Sequence, residues 1–265
     1  MAISLTKEKE TLLIPLLGRA RMSEAGLFTD KPAERVVNSI DYDFSHLRID
    51  KKLCIFMALR AAIFDDYTLE FLSRNPDATV IYLGCGLDSR CERLGYPAAM
   101  WYDLDYAEVI ELKRKFFEER ESYQLIPSSV TELSWLDEIK KGDFPVLIIA
   151  EGLFMYLAED DIRRLADALG TRFPNARIIF DAYSKTTAKY SKYQPSLRKT
   201  GAVIRWGVDS AQELAKTGLY RIETKYMHEH RLVERLSSYF RFMFRMSGHF
   251  KAVREAHRVF IADLK

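Results

Sequence analysis

The run Thr79-Val80-Ile81-Tyr82-Leu83-Gly84-Cys85-Gly86-Leu87-Asp88-Ser89-Arg90 sets the architecture expected of this 265-residue chain. Thr79 to Leu83 is short, apolar and β-branched between polar neighbours, the pattern of a strand buried on both faces. Gly84 and Gly86 then break it, allowing a tight turn and letting a ligand lie against bare backbone. A second strand is predicted over Met100 to Leu104, and it runs out at Asp103 and Asp105, 19 and 21 residues beyond Gly84. That is close to the interval of about 20 residues at which a Rossmann-type fold presents an acid to ribose hydroxyls. The stretch reads as strand, glycine turn, helix, strand.

The third glycine of a dinucleotide fingerprint would fall at position 89, where this chain has Ser89. A pyrophosphate cradle is therefore not indicated. S-adenosylmethionine (SAM) has a ribose but no pyrophosphate, so it suits a glycine turn followed by a strand-end acid better than NAD does. The plain alternative is a glycine turn that binds nothing.

Three motifs, Leu83 to Arg90, Tyr102-Asp-Leu-Asp-Tyr-Ala-Glu-Val-Ile110 and Ile149-Ala-Glu-Gly-Leu-Phe-Met-Tyr-Leu157, resemble those of the leucine carboxyl methyltransferase family, including its bacterial polyketide-type O-methyltransferases. Order and spacing match from about Arg19 to Leu157. The resemblance implies a Rossmann-like class I methyltransferase fold, an α/β three-layer sandwich. Its mostly parallel seven-stranded sheet would have an antiparallel last strand, with an N-terminal helical cap over residues 1–50 and a lid insertion before the sixth strand. It implies SAM as cofactor, S-adenosylhomocysteine as product, and methylation of carboxyl oxygens.

With 48% hydrophobic residues the chain can bury a substantial core, and its length suits one domain, residues 1–265, better than two. Lys plus Arg number 40 against 38 Asp plus Glu, a balance without a nucleic-acid signature. Cys54, Cys85 and Cys91 are too few and wrongly spaced for a disulfide framework or a zinc site, which points to a reduced, cytoplasmic compartment. Met1 to Glu10 has no apolar signal core, and no run of about 18 uncharged apolar residues occurs. The expectation is a soluble, unprocessed protein without nucleic-acid, membrane or metal partners, acting on a small molecule. The acceptor's identity and the oligomeric state stay open.

Taken in order, Leu5 to Arg21 reads as a helix interrupted at Pro15, and by resemblance the family's basic residue over the cofactor falls on Arg19, the alternative being a solvated arginine on a helix face. Leu53 to Leu72 is strongly helical, with Leu53, Phe56, Met57, Ala61, Phe64 and Leu69 on the apolar side. Arg60 interrupts that side. By resemblance it holds the methionyl carboxylate of SAM, and the alternative is an ion pair to Asp65 or Asp66. Resemblance also favours Asp105 over Asp103 as ribose ligand, followed by Tyr106, with Cys85 between the two glycines of the cofactor turn. Tyr123 to Val130 is the third strand, ending at Ser129 and Val130, where the family often has an acid near adenine and this chain has Ser129. Pro145 to Ala150 is a buried strand that delivers Glu151 to the crevice outside the strand ends, with Met155 and Tyr156 on its floor.

Beyond a helix at Glu159 to Phe173 and a strand at Arg177 to Ala182, residues 184–218 are aromatic, basic and poorly periodic. This segment is expected to cover substrate, with Tyr183, Tyr190, Tyr193, Arg205 and Trp206 as candidate contacts, and the alternative is a packed loop. His228 and His230 follow a sixth strand, Tyr220 to Tyr226. No Cys or third His lies near, so no metal is expected, and His228 is a further substrate-positioning candidate. Leu232, Leu236, Tyr239, Met243 and Phe250 suggest one apolar side of a long helix, and Arg258 to Leu264 a closing strand.

The function expected is SAM-dependent methylation of a small-molecule carboxylate, polyketide-like or another metabolite. A carboxylate with pKa about 4 is already ionised at neutral pH, so no catalytic base is required. The rivals are methylation of a hydroxyl or ring nitrogen, and a non-catalytic SAM- or RNA-binding regulator.

Overall fold

The protein is described from a computed structural model over residues 9–140, 142–191 and 203–264. Seven strands, β1 (Thr79–Leu83), β2 (Met100–Asp105), β3 (Tyr123–Pro127), β4 (Val146–Ala150), β5 (Arg177–Tyr183), β6 (Leu219–Lys225) and β7 (His257–Leu264), form one sheet in the order β3-β2-β1-β4-β5-β7-β6. β1 to β5 pair in parallel, and β7 runs antiparallel to both β5 and β6. The antiparallel strand is thus inserted between β5 and β6 and does not lie at the edge.

β1 and β4 are buried at every position because helices cover both faces of the sheet. Alternation along the strands sorts their side chains into two cores. Val80, Tyr82, Leu147, Ile149, Ile179 and Ile261 face one layer, built from α1 (Leu13–Glu24), α2 (Lys31–Ser39) and α3 (Lys51–Arg74). Ile81, Leu83, Ile148, Ala150, Ile178 and Phe260 face the other, with Trp135, Trp206 and the helix Glu159–Arg172.

α1 begins at Leu13, so Pro15 stands in its first turn, where a missing N–H costs no hydrogen bond. The interruption expected there is a 3₁₀ turn, Lys9–Leu12, running into the helix. Gly18 lets α1 lie close on α3, since a Cβ there would come within 3.0 Å of the Met57 Cβ. α3 is buried on more than the predicted side: Ile55, Leu59 and Ala62 are also in the core, while Leu69 is 42% exposed.

Two expectations need correction. The third strand ends at Pro127, leaving Ser128, Ser129 and Val130 in the loop beyond it. The long C-terminal helix is two elements, a 3₁₀ turn Arg231–Arg235 and a helix Ser238–His249. Leu236 between them is extended at its ψ of 155°, and Tyr239 and Phe250 of the supposed apolar side are 71% and 59% exposed. No helix among the described residues is long and apolar enough to cross a membrane.

Candidate active site

A cavity of about 610 Å³ opens at the C-terminal ends of β1, β2 and β4, between the sheet and helices α1 and α3. It is the crevice in which open parallel sheets collect ligands. Gly84 and Gly86 floor it with φ of +62° and +52°. A Cβ at Gly84 would come within 2.9 Å of Leu153 Cδ1, and one at Gly86 within 3.0 Å of Leu12 Cδ2. Here glycine answers both the backbone conformation and the close approach.

Asp105 lies in the cavity, and Asp103, two residues earlier on β2, does not. Each Asp105 oxygen accepts a backbone N–H, Oδ2 from Gly86 at 2.7 Å and Oδ1 from Tyr106 at 2.8 Å. These bonds lock the glycine turn to the strand end and leave lone pairs on both oxygens for hydroxyl donors. Burial raises the Asp105 carboxyl above its ordinary range, an effect the two N–H groups only partly offset. Asp103 instead accepts from Trp101 Nε1, the Tyr123 hydroxyl and Lys113 Nζ, all within 2.8 Å, in a buried polar cluster.

Behind the glycine turn four arginines and five carboxylates interlock. Arg19 meets Asp30 at 2.9 Å and Asp88 at 3.1 Å. Arg90, fully buried, reaches Asp65 at 2.7 Å and Glu151, and Arg93 bridges Asp65 and Asp88. Burial opposes the charge on Asp88, but Arg19, Arg93 and Arg90 outweigh it and hold the carboxyl well below the usual range. Arg60 stands 2.9 Å from Glu151 and 3.3 Å from Asp181. Its pairing is therefore with strand-end acids, not with Asp65 or Asp66. Gly152, with φ of +68°, leaves room for that guanidinium, since a Cβ there would meet Arg60 Nη1 at 3.3 Å.

Arg19, Arg60, Gly84, Cys85, Gly86, Asp105, Tyr106, Ser129, Val130 and Glu151 all line the cavity, as do Met155, Tyr156, Tyr183 and Arg205. Arg19 is buried in its ion pairs, unlike an arginine on a solvated helix face. Arg205 is carried on an extended return segment whose backbone is fixed to the wall: Arg205 and Trp206 donate their N–H groups to Met155 O, and Val208 donates to Tyr183 O.

Other candidates fall elsewhere. Trp206 is buried in the second core, edge-on to Phe154 at 6.3 Å, because the strip alternates and turns the indole away from the cavity. His228 lies in a 3₁₀ turn after β6, against Tyr226 and Gly248, and does not line the cavity. His230 is 3.2 Å from Asp66. Tyr190 is 56% exposed and also outside the cavity lining. Tyr193 lies outside the described residues. Among the described residues no group of three or more His, Cys, Asp or Glu could hold a metal ion. Asp88, Arg90, Arg93 and His257 were not singled out in the sequence, although Asp88 and Arg90 belong to the quoted motif, and Asp65 entered only as a possible partner of Arg60. A second cavity, about 450 Å³ and lined by Tyr67, Arg74, Pro145 and Arg177, sits at the opposite end of the sheet, away from Asp105, Glu151 and Asp181.

The donor set fits SAM: bare glycine backbone, a strand-end carboxylate for ribose hydroxyls, and a guanidinium beyond it for an amino-acid carboxylate. Fold and site define a Rossmann-like methyltransferase. The chain belongs to the leucine carboxyl methyltransferase family, which it matches over residues 15–170. It is 38% identical to the tetracenomycin polyketide synthesis O-methyltransferase TcmP of Streptomyces glaucescens over 215 residues, 80% of this chain and 79% of that one. It is 33% identical to the S-adenosyl-L-methionine-dependent methyltransferase dpfgK of Gibberella zeae over 235 residues, with the same coverage, 80% and 79%. A crystal structure of a DUF574 family protein from Streptomyces avermitilis shares the fold at 9% identity and a TM-score of 0.59, covering 94% of this chain and 97% of that one.

Proposed function

We propose that this SAM-dependent methyltransferase transfers the methyl group to a carboxylate of a small-molecule acceptor. The observation that carries the reading is the state of the cavity's cations. Three line it among the described residues, and Arg19 and Arg60 are tied to buried carboxylates. Arg205 lines the same cavity, is exposed, and makes no ion pair among the described residues. A guanidinium held by its backbone at the rim is suited to a bidentate grip on a carboxylate.

The complementary observation concerns bases. No His or Lys is among the described residues lining the cavity. Burial pushes the Tyr156 and Tyr183 hydroxyls up, which leaves little phenolate at neutral pH. Asp88, Asp105 and Glu151 hold the wall together, and Asp161 at the rim pairs with Arg164 at 3.3 Å. A hydroxyl acceptor would need one of these groups as a base, and His228 does not line the cavity. A carboxylate with pKa about 4 needs none.

In this assignment Asp105 takes the ribose hydroxyls, Arg60 the amino-acid carboxylate, and Ser129 and Val130 the adenine edge. When bound, SAM supplies a sulfonium methyl group open to in-line attack by an oxygen. Arg205 holds the acceptor so that its oxygen faces that methyl, which makes alignment the main contribution of the protein. The polyketide acceptor implied by the name of the Streptomyces relative is one candidate within this class. The test is incubation with methyl-labelled SAM and matched carboxylic-acid and hydroxyl acceptors. The expected product is an ester that mild alkali hydrolyses, formed at a rate nearly flat from about pH 6 to 8 because the acceptor stays ionised. An alkali-stable ether, formed at a rate that climbs with pH, would overturn the carboxylate assignment.

A further inference from the structure

On the α3 side of the sheet, Asp181 and Tyr183 of β5 share a face with His257, the residue of β7 directly opposite Tyr183 in the antiparallel register. Phe56 and Arg60, one helical turn apart on α3, pack onto this patch. The imidazole of His257 is wedged between two rings, with centroids 4.5 Å from Tyr183 and 5.1 Å from Phe56. Its Nε2 is 2.5 Å from Asp181 Oδ2. The same Oδ2 lies 3.3 Å from Arg60 Nη1, while Oδ1 accepts the Gly152 N–H at 2.5 Å.

Asp181 is wholly buried. Burial opposes its charge, but Arg60, the His257 hydrogen bond and the Gly152 N–H hold its carboxyl below the usual range. An ionised Asp181 assigns the His257 proton to Nε2. His257 Nδ1 is then left buried with no hydrogen-bond partner. A buried polar atom without a partner carries a cost, and the wedge makes sense of it: the ring is held by its Nε2 bond and by packing on both faces. Three elements thus meet at one carboxylate whose rotamer His257 fixes, and two of them, Arg60 on α3 and the Gly152 turn after β4, form cavity wall.

We propose that His257 is a positioning residue which, through Asp181, sets the Arg60 guanidinium at the angle that receives the amino-acid end of the cofactor. This rests on the assignment of Arg60 to that end. His257 does not line the cavity, and it reaches Arg60 through the acid between them. Its loss should be felt by ligands carrying the amino-acid carboxylate and not by those lacking it.

The experiment is calorimetric titration of S-adenosylhomocysteine and of 5′-methylthioadenosine, which has the same nucleoside without the carboxylate. His257→Leu keeps apolar bulk between Phe56 and Tyr183 but removes the donor. It should weaken S-adenosylhomocysteine about tenfold, near the lower end of the range for one hydrogen bond to a charged group, and leave 5′-methylthioadenosine within about twofold. His257→Gln, whose amide can reach Asp181, should restore most of the loss, and His257→Asn, which is shorter, should not. If His257→Leu does not fold, the Gln and Asn pair decides the matter alone. In an Arg60→Ala background the His257 substitution should add nothing further. Equal losses for both ligands, or no loss, would overturn the positioning role while Arg60→Ala still discriminated between them. If Arg60→Ala itself weakened both ligands equally, the assignment of Arg60 would fall, and the proposal with it.

Discussion

The inner wall of the cavity and its more exposed side are both assembled from distant parts of the chain, yet their side chains are held differently. On the wall, charge meets charge in burial: Arg90 touches Asp65 and Glu151, and Arg60 touches Glu151 and Asp181. On the more exposed side, Leu12, Pro15, Leu53, Met57 and Val203 are half-buried or exposed and offer apolar contact, and Arg205 is exposed and makes no ion pair among the described residues. A wall of mutually satisfied ions has one geometry, because moving any member strands another. An apolar rim with one anchoring cation tolerates changes of shape at low cost. Under the proposed assignment the invariant ligand meets the wall and the variable one the rim.

The strongest challenge to this contrast is Arg90→Leu. The substitution leaves Asp65 and Glu151 short of a fully buried partner, and stability measured by urea unfolding should fall by about 3 to 5 kcal/mol. A loss below about 1 kcal/mol would mean that the wall is solvated and adaptable, and the contrast would fail.

Asp105 gives the next largest effect, on binding. Asp105→Ala should weaken S-adenosylhomocysteine by about 1.5 to 3 kcal/mol, whereas Asp103→Ala should spare binding and cost stability through Trp101, Tyr123 and Lys113. The pH profile sharpens the point. Because burial raises the Asp105 carboxyl, affinity should begin to fall on acidification before ordinary carboxylates titrate, since the ribose hydroxyls donate to the ionised form. Folding moves the other way. A raised folded-state pKa means the native protein takes up this proton first, so the burial penalty of Asp105 is relieved as pH drops. Asp105→Asn should flatten the early part of the binding profile, and an unchanged profile would remove Asp105 from the ribose site.

The smallest effect is expected at the rim. Arg205→Ala should raise the acceptor KM about tenfold, roughly 1.4 kcal/mol, with cofactor affinity unchanged and unfolding free energy within about 0.5 kcal/mol. Saturation kinetics separates the two terms. A shift in cofactor affinity of the same size would place Arg205 with the wall.

Much of the wall could be read in the chain because strand ends are readable. A buried β-branched run that stops at a glycine or an acid fixes where that residue stands, and Gly84, Asp105 and Glu151 line the cavity for that reason. Asp103 and Asp105 share a face of β2 and differ in position along it: Asp105, favoured by the resemblance, is the last residue of the strand and lines the cavity, and Asp103 does not. The ionic scaffold was illegible because its bonds span the sequence: Arg60 to Asp181 is 121 residues, and His257 to Asp181 is 76. A single arginine or histidine has no local pattern that names a partner so distant. Trp206 and His228 misled for the converse reason. An aromatic or a histidine in aperiodic sequence looks available, and only packing shows that one is core and the other lies against the helix after β6. The break at Leu236 was hidden because apolar spacing continues across it.

The placement of β7 bears on how the protein is made. β6 has β7 as its neighbour in the sheet, and β5 keeps an open edge until β7 arrives. A nascent chain extended as far as residue 256 therefore already carries all three motifs and the full span 15–170 matched by the family. It still presents the bare hydrogen-bonding edge of β5 to its surroundings and lacks the His257 contact to Asp181. In order of synthesis that edge stays uncovered until residues 257–264 pair with it, and an unpaired edge is a template for association with other chains.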